Sequence, residues 1–92
     1  MEVIKCYRDL RVYQQSFDIS IEIYDHSKKC PKEEIFSLTS QIRRSSRSVC
    51  ANIAKAFRRR KYPKAFSNKL NISEAEASET QNWLDFYLKI IL

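Results

Sequence analysis

The stretch from residue 35 to residue 61 reads IFSLTSQIRRSSRSVCANIAKAFRRRK, and its spacing decides the fold. Its apolar side chains lie at Ile35, Leu38, Ile42, Val49 and Ile53. This recurrence every three or four residues, or at multiples of that interval, is typical of an α-helix with one buried face. The chain contains no glycine, on which hairpin turns and bulges depend. The stretch therefore predicts a long helix in an all-α protein.

Two prolines divide the 92-residue chain into three parts of similar length. Pro31 and Pro63 interrupt the helical pattern, because proline lacks a backbone donor. The three predicted helices span about residues 9–29, 33–61 and 64–91. Asp9 is the predicted N-cap of the first helix. We expect residues 1–92 to form a single domain, an antiparallel helical bundle of three long helices.

The pattern contains more apolar surface than three helices can cover. Helix one has one apolar stripe through Tyr13, Phe17 and Tyr24 and a second stripe through Ile19 and Ile23. The end of helix three is apolar around most of its circumference. The predicted oligomer interface therefore contains Trp83, Phe86 and Ile90. A homo-oligomer, in which a partner chain completes a bundle of the four-helix type, is expected to bury this surface.

Positive charge is concentrated in the middle of the chain. The formal net charge is +6, and residues 35–73 contain ten basic residues and no acidic one. Helical spacing places four basic residues on the face opposite the apolar one: Arg44, Arg47, Lys55 and Arg58. The predicted nucleic-acid-binding residues are Arg43, Arg44, Arg47, Lys55, Arg58, Arg59, Arg60 and Lys61. A basic stripe of this kind indicates contact with RNA phosphates, and the alternative is a face that only keeps the protein in solution.

Nothing in the sequence predicts catalysis, a metal site or a cofactor. His26 is the only histidine, and Cys6, Cys30 and Cys50 lack the paired spacing of a zinc site or a disulfide framework. Free thiols are typical of a reducing compartment. No apolar run has the length of a signal peptide or a membrane span, so we expect a cytoplasmic protein without a membrane partner.

Three segments together resemble one known family. They are residues 41–48 (QIRRSSRS), 51–54 (ANIA) and 79–86 (ETQNWLDF). Their order and spacing are similar to those of the four helix bundle protein family, which includes the intervening-sequence proteins encoded inside some bacterial 23S ribosomal RNA genes. The resemblance implies an antiparallel four-helix bundle, often a pentameric ring, with no known catalytic activity. Ribosomal RNA association is the role that the family implies.

The chain departs from the family pattern in the sequence of helix two, where the family often has proline in place of Cys50, and in the fourth helix. The family usually has Glu-Gly where Lys55 and Ala56 stand here, so this face is more basic. The family also continues beyond the position of Leu92 into a fourth helix. The resemblance therefore leaves this bundle apparently one helix short, which is a second reason to expect a partner chain.

These features predict a non-enzymatic, oligomeric helical-bundle protein that binds structured RNA through helix two. The alternative is an oligomeric adaptor that binds an acidic protein surface. A related branch of the family implies that alternative, because its members are accessory proteins of diversity-generating retroelements that bind a reverse transcriptase and nucleic acid.

Overall fold

The computed structural model describes residues 4–91, which form three α-helices. The helices are α1 (Arg11–Ser27), α2 (Ser40–Arg58) and α3 (Pro63–Ile91). Short 3-10 turns occupy Tyr7–Asp9 and Lys32–Glu34, and a π-helical turn at Ile35–Thr39 leads into α2. No strand occurs within residues 4–91. The predicted all-α fold with three long helices is confirmed.

The middle helix of the molecule is α2, which packs against both α1 and α3, whereas α1 and α3 barely touch each other. Near the start of α1, the Cys50 thiol donates to Ser16 Oγ at 3.3 Å. Near its end, Arg43 Nε donates to Ser27 Oγ at 2.7 Å. These pairs show that α1 and α2 are antiparallel. The smallest dimension of the molecule is 17 Å, consistent with three helices side by side.

The apolar core lies along α2, where Ile42 is only 1% exposed and Ile53 is 6% exposed. Other buried apolar residues are Ile23, Leu38, Cys50 and Ala56. Small residues in the middle of α2 allow close helix approach, and Ser45 and Ser46 are buried there. Ala51, another small residue of α2, is exposed instead.

The first helix begins two residues later than predicted, and Asp9 is not its N-cap. Leu10 occupies the N-cap position in an extended conformation (φ −74°, ψ 128°), and no side chain caps the helix. Asp9 instead closes the 3-10 turn, since its backbone N–H donates to Cys6 O at 3.0 Å. The helix ends at Ser27 rather than near Lys29.

The second helix is shorter than the predicted range of residues 33–61. Regular α-helix runs only from Ser40 to Arg58, because the preceding residues form the 3-10 and π-helical turns. At Arg59 the backbone leaves helical geometry (φ −102°, ψ 13°). The Tyr62 N–H donates to Arg59 O at 2.8 Å in the turn that reverses the chain. The helix is therefore about 28 Å long at 1.5 Å per residue, not about 40 Å.

The third helix begins at Pro63, one residue before the predicted start, and contains 29 residues. Proline suits this first-turn position because its missing N–H would have no helical partner there. At 1.5 Å per residue the helix is about 43 Å long. None of the helices in the described part of the chain has both the length and the apolar character needed to cross a membrane.

Candidate nucleic-acid interface

Four basic side chains lie on the exposed surface of α2: Arg44, Arg47, Lys55 and Arg58. We call these four residues the basic face. It lies opposite the buried apolar residues of the same helix, and it spans about 21 Å along the axis at 1.5 Å per residue. The helical spacing of the sequence had placed all four residues on one side, and each of them is exposed.

The basic face is not neutralised by carboxylates within residues 4–91. The one ion pair in this part of the chain joins Lys28 Nζ to Asp25 Oδ1 at 3.6 Å, on α1 and the turn after it. The guanidinium groups of Arg44 and Arg47 thus keep their donors available to an anion. Charge-assisted contacts to phosphate are among the strongest hydrogen bonds that arginine makes.

Two of the predicted binding residues are already engaged within the protein. Arg43 is half-buried, where its Nε donates to Ser27 Oγ at 2.7 Å and its guanidinium lies 4.5 Å from the ring centre of Tyr24. Arg60 Nη1 donates to Phe57 O at 2.8 Å, and its guanidinium lies 4.0 Å from the Phe57 ring centre. Arg43 thereby joins α2 to α1, whereas Arg60 contacts only Phe57 three residues before it and stays exposed, so each side chain has fewer donors free for a ligand.

The other two members of the predicted set, Arg59 and Lys61, are exposed but lie outside α2. They occupy the turn between α2 and α3 together with Arg60. The structure therefore divides the eight predicted residues into the basic face, an exposed cluster in the turn, and the packed Arg43.

Aromatic rings accompany the arginines, a feature that sequence reasoning assigned only to packing. The Tyr24 ring has Arg43 at 4.5 Å, Lys28 at 4.8 Å and Arg47 at 5.6 Å from its centre. At the other end, Arg58 lies 5.7 Å from the ring centre of Tyr7. Cations at these distances from an aromatic face are attracted by its quadrupole. The recurrence of tyrosine and phenylalanine along helix one was the available sequence signal.

A groove of about 430 Å³ lies between α1 and α2, next to the basic face. We call it the α1–α2 groove. It is lined by Tyr13, Phe17, Ser20, Ile21, Tyr24, Arg47, Cys50 and Ala51. Arg47 is the only charged residue among them. The pKa of Tyr13 lies above its ordinary value, mainly because the phenol is partly buried and secondly because Tyr7 is close. The phenol is therefore neutral at physiological pH.

A second groove of about 350 Å³ lies on the other side of α1, between α1 and α3. We call it the α1–α3 groove. Its apolar lining includes Ile19 and Ile23 from the second stripe of helix one, together with Leu84 and Leu88 from α3. Two other lining residues join α3 to α1, since the Tyr87 hydroxyl donates to His26 O at 3.2 Å in an exposed hydrogen bond.

The predicted interface residues Trp83, Phe86 and Ile90 line neither groove. They recur at i, i+3 and i+7 and thus form a separate stripe on α3. Phe86 is 52% exposed and Ile90 is 43% exposed. Trp83 is half-buried, and its Nε1 donates to Glu79 Oε1 at 3.1 Å. Their burial between chains remains a prediction.

Within residues 4–91, no three histidine, cysteine or acidic side chains form a group that could hold a metal ion. The thiols of Cys6, Cys30 and Cys50 are free. The buried Asn52 amide donates within its own helix to Ser48 O at 2.9 Å. The exposed groups described above are therefore suited to binding a partner through charge and apolar contact.

Comparison with known proteins supports the resemblance seen in the sequence. Residues 8–91 match the family described as 23S rRNA-intervening sequence protein. No curated protein and no solved structure matches the chain significantly. The family match includes all of α1, α2 and α3. The chain therefore belongs to the 23S rRNA-intervening sequence protein family.

Proposed function

We propose that this chain is a non-enzymatic, oligomeric helical-bundle protein that binds structured RNA through the basic face of α2. The observation that carries the proposal is the one-sided display of Arg44, Arg47, Lys55 and Arg58, none of which is paired with a carboxylate within residues 4–91. A helix in a merely soluble protein usually alternates charges of both signs. The family to which the chain belongs is named for a ribosomal RNA, which agrees with this ligand.

The expected contacts are to the phosphate backbone rather than to base edges. Arginine and lysine on phosphates position a protein on RNA without reading its sequence. The deep major groove of an RNA helix excludes side chains, so a rigid basic helix fits the phosphates at the groove edges. The exposed Arg59, Arg60 and Lys61 extend the same positive surface beyond the end of α2.

Assembly is the second part of the proposal, with another copy of the chain covering the α1–α3 groove. Leu88 in that groove is 50% exposed, and Ile19 is 53% exposed. Large apolar side chains that adjoin one another at this exposure are typical of an interface. The free thiols agree with a reducing, cytoplasmic setting.

A second candidate function is an adaptor that binds an acidic protein surface. The exposed apolar residues Phe86 and Ile90 favour it, since protein interfaces combine apolar anchors with charged rims. RNA lacks large apolar surfaces that such a stripe would cover. The adaptor would use the same positive charge, so a binding experiment has to separate the two.

The test is a salt titration of binding to a stem–loop RNA. We compare the parent with a variant in which Arg44, Arg47 and Arg58 are all replaced by glutamine. Each lost phosphate contact should reduce the slope of log K against log salt concentration by about one. The triple variant should therefore bind more weakly and with a flatter slope, by up to about three units.

The matched control replaces Arg11, Lys29 and Lys32 by glutamine. These three residues are exposed and lie outside the basic face. Their replacement removes three positive charges, as in the first variant. Equal losses in the two triple variants would mean that only net charge matters. If the parent itself does not bind the RNA, the adaptor function replaces the RNA-binding proposal.

A further inference from the structure

The α1–α2 groove contains an aromatic surface beside the basic face. The ring centres of Tyr7 and Tyr13 are 4.9 Å apart, and those of Tyr13 and Phe17 are 6.0 Å apart. Tyr13 and Phe17 are one turn apart on α1 and line the groove, and Tyr7 adjoins them from the 3-10 turn before the helix. Phe17 is 45% exposed, so a large part of its ring faces solvent. A flat, exposed ring in a groove is a surface on which a planar group can stack.

The charge of the groove defines the kind of planar group that fits it. Arg47 is its only charged lining residue, and no carboxylate lines it. Arg43 adds positive charge beside Tyr24 at its rim, where Lys28 is paired with Asp25 at 3.6 Å. A nucleobase is a planar group, and phosphates of the same nucleic-acid strand flank its nucleotide on both sides. Stacking beside a cation therefore matches an unpaired nucleotide.

Two hydrogen-bonding groups that line the groove are already used within the protein, and besides Arg47 the hydroxyls of Tyr13 and Tyr24 remain. The Ser20 hydroxyl donates to Phe17 O at 2.8 Å, and the Cys50 thiol donates to Ser16 Oγ at 3.3 Å. Few donors remain to read the edge of a base. Binding in this groove would therefore depend on stacking, which tolerates any base.

We propose that the α1–α2 groove binds an unpaired nucleotide, whose base stacks on Phe17 while Arg47 contacts the adjoining phosphate. Tyr24 positions Arg47, since the guanidinium lies 5.6 Å from the centre of its ring. This inference rests on the proposed function and specifies the RNA further. The preferred RNA contains unpaired nucleotides, as in a loop, a bulge or a single strand, next to the duplex phosphates that the basic face binds.

The experiment compares two RNA probes, an oligouridylate and a blunt-ended RNA duplex. Phe17→Leu keeps an apolar side chain but removes the aromatic face. Loss of one base–aromatic stack should weaken oligouridylate binding by roughly 5- to 150-fold. Duplex binding should not change, because the basic face is intact. Phe36→Leu is the matched control, since Phe36 is 94% exposed and lies in the π-helical turn outside the groove.

Four outcomes separate this inference from the proposed function. Selective loss of oligouridylate binding in Phe17→Leu alone supports the groove site. If the parent binds both probes and Phe17→Leu binds them equally well, the groove site is wrong while the proposed function stands. If Phe17→Leu changes the mass of the assembly by light scattering but not RNA binding, the groove is instead an interface between copies. If the parent binds neither probe, the proposed function fails and the groove site with it.

Photo-crosslinking tests the same site in the parent protein, and so covers the case in which Phe17→Leu does not fold. An oligouridylate that contains 5-iodouridine is irradiated with the protein, and the crosslinked peptide is identified by mass spectrometry. Crosslinks to Tyr13, Phe17 or Tyr24 are expected. Crosslinks confined to α3 would overturn the inference.

Discussion

The hydroxyl groups of Thr80 and Ser45 lie 2.8 Å apart and are hydrogen bonded in the contact between α3 and α2. Both residues are buried, with exposures of 7% and 3%. Farther along the same contact, the Ser73 hydroxyl donates to Val49 O at 3.0 Å. Small hydroxyl side chains therefore let the two helix backbones approach closely, and their polar atoms find partners across the contact.

Ser45→Leu should destabilise the protein far more than Ala51→Leu. Extra methylene groups at the buried Ser45 would push α3 away from α2, which typically costs about 1–3 kcal/mol. Ala51 is exposed on α2, where a substitution usually changes stability by less than about 0.5 kcal/mol. Urea unfolding midpoints measure both effects, and similar midpoints for the two variants would contradict this view of the helix contact.

Removing the hydroxyl of Thr80 should lower the free energy of unfolding more in the parent than in a protein that lacks the Ser45 hydroxyl. Thr80→Val should cost about 0.5–1.5 kcal/mol, the usual net value of one hydrogen bond. In the double variant with Ser45→Ala neither partner is left unsatisfied, so the combined loss should be smaller than the sum of the single losses. A double-mutant cycle in urea measures the coupling, and strict additivity would show that the bond contributes nothing.

The face of α2 that carries exposed charge was predictable from helical spacing. Successive residues of a helix are rotated by about 100°, so residues three, four or seven positions apart share a side whatever the tertiary structure. Arg44, Arg47 and Arg58 therefore lie together on the exposed side, as expected. The all-α fold was predictable from composition, because a chain without glycine lacks the residue on which most tight turns between strands depend.

The helix ends and the role of Arg43 were not predictable, because they depend on backbone turns and on contacts that residue type alone does not reveal. Arg43 lies beside the basic face in sequence, but Ser27 Oγ and the ring of Tyr24 draw it into the α1–α2 contact. Asp9 has the residue type of an N-cap, yet Leu10 is the N-cap of α1 because Asp9 belongs to the 3-10 turn before it. Local propensity gives no information about either arrangement.

Light scattering should show that the assembly depends on the apolar end of α3. Leu88→Asp places a charge in the α1–α3 groove, and Phe86→Asp places one on the neighbouring stripe. An unpaired charge buried between chains is strongly unfavourable, so each variant should lower the mass of the assembly. Phe36→Asp is the control, because that side chain is 94% exposed in the monomer.

The two α3 variants also distinguish the two faces. If only Leu88→Asp dissociates the assembly, the groove alone forms the interface, and the predicted stripe of Trp83, Phe86 and Ile90 lies outside it. A parent protein that is monodisperse and monomeric at tens of micromolar would refute assembly through either surface.

Arg43→Gln and Arg44→Gln should have opposite consequences, although the two residues are adjacent and the change in charge is the same. Arg43 is half-buried, and its Nε donates to Ser27 Oγ at 2.7 Å, so its loss leaves a buried hydroxyl without this partner. Arg43→Gln should therefore lower the free energy of unfolding by about 1–3 kcal/mol, with little change in the salt slope of RNA binding.

Arg44 is exposed and unpaired by carboxylates within residues 4–91. Arg44→Gln should leave stability within about 0.5 kcal/mol and reduce the salt slope by about one unit. Urea unfolding and a salt titration on the same two proteins measure both quantities. Equal slopes for the two variants would remove Arg44 from the RNA-binding surface, whereas equal stabilities would show that the Arg43 contact to α1 is dispensable.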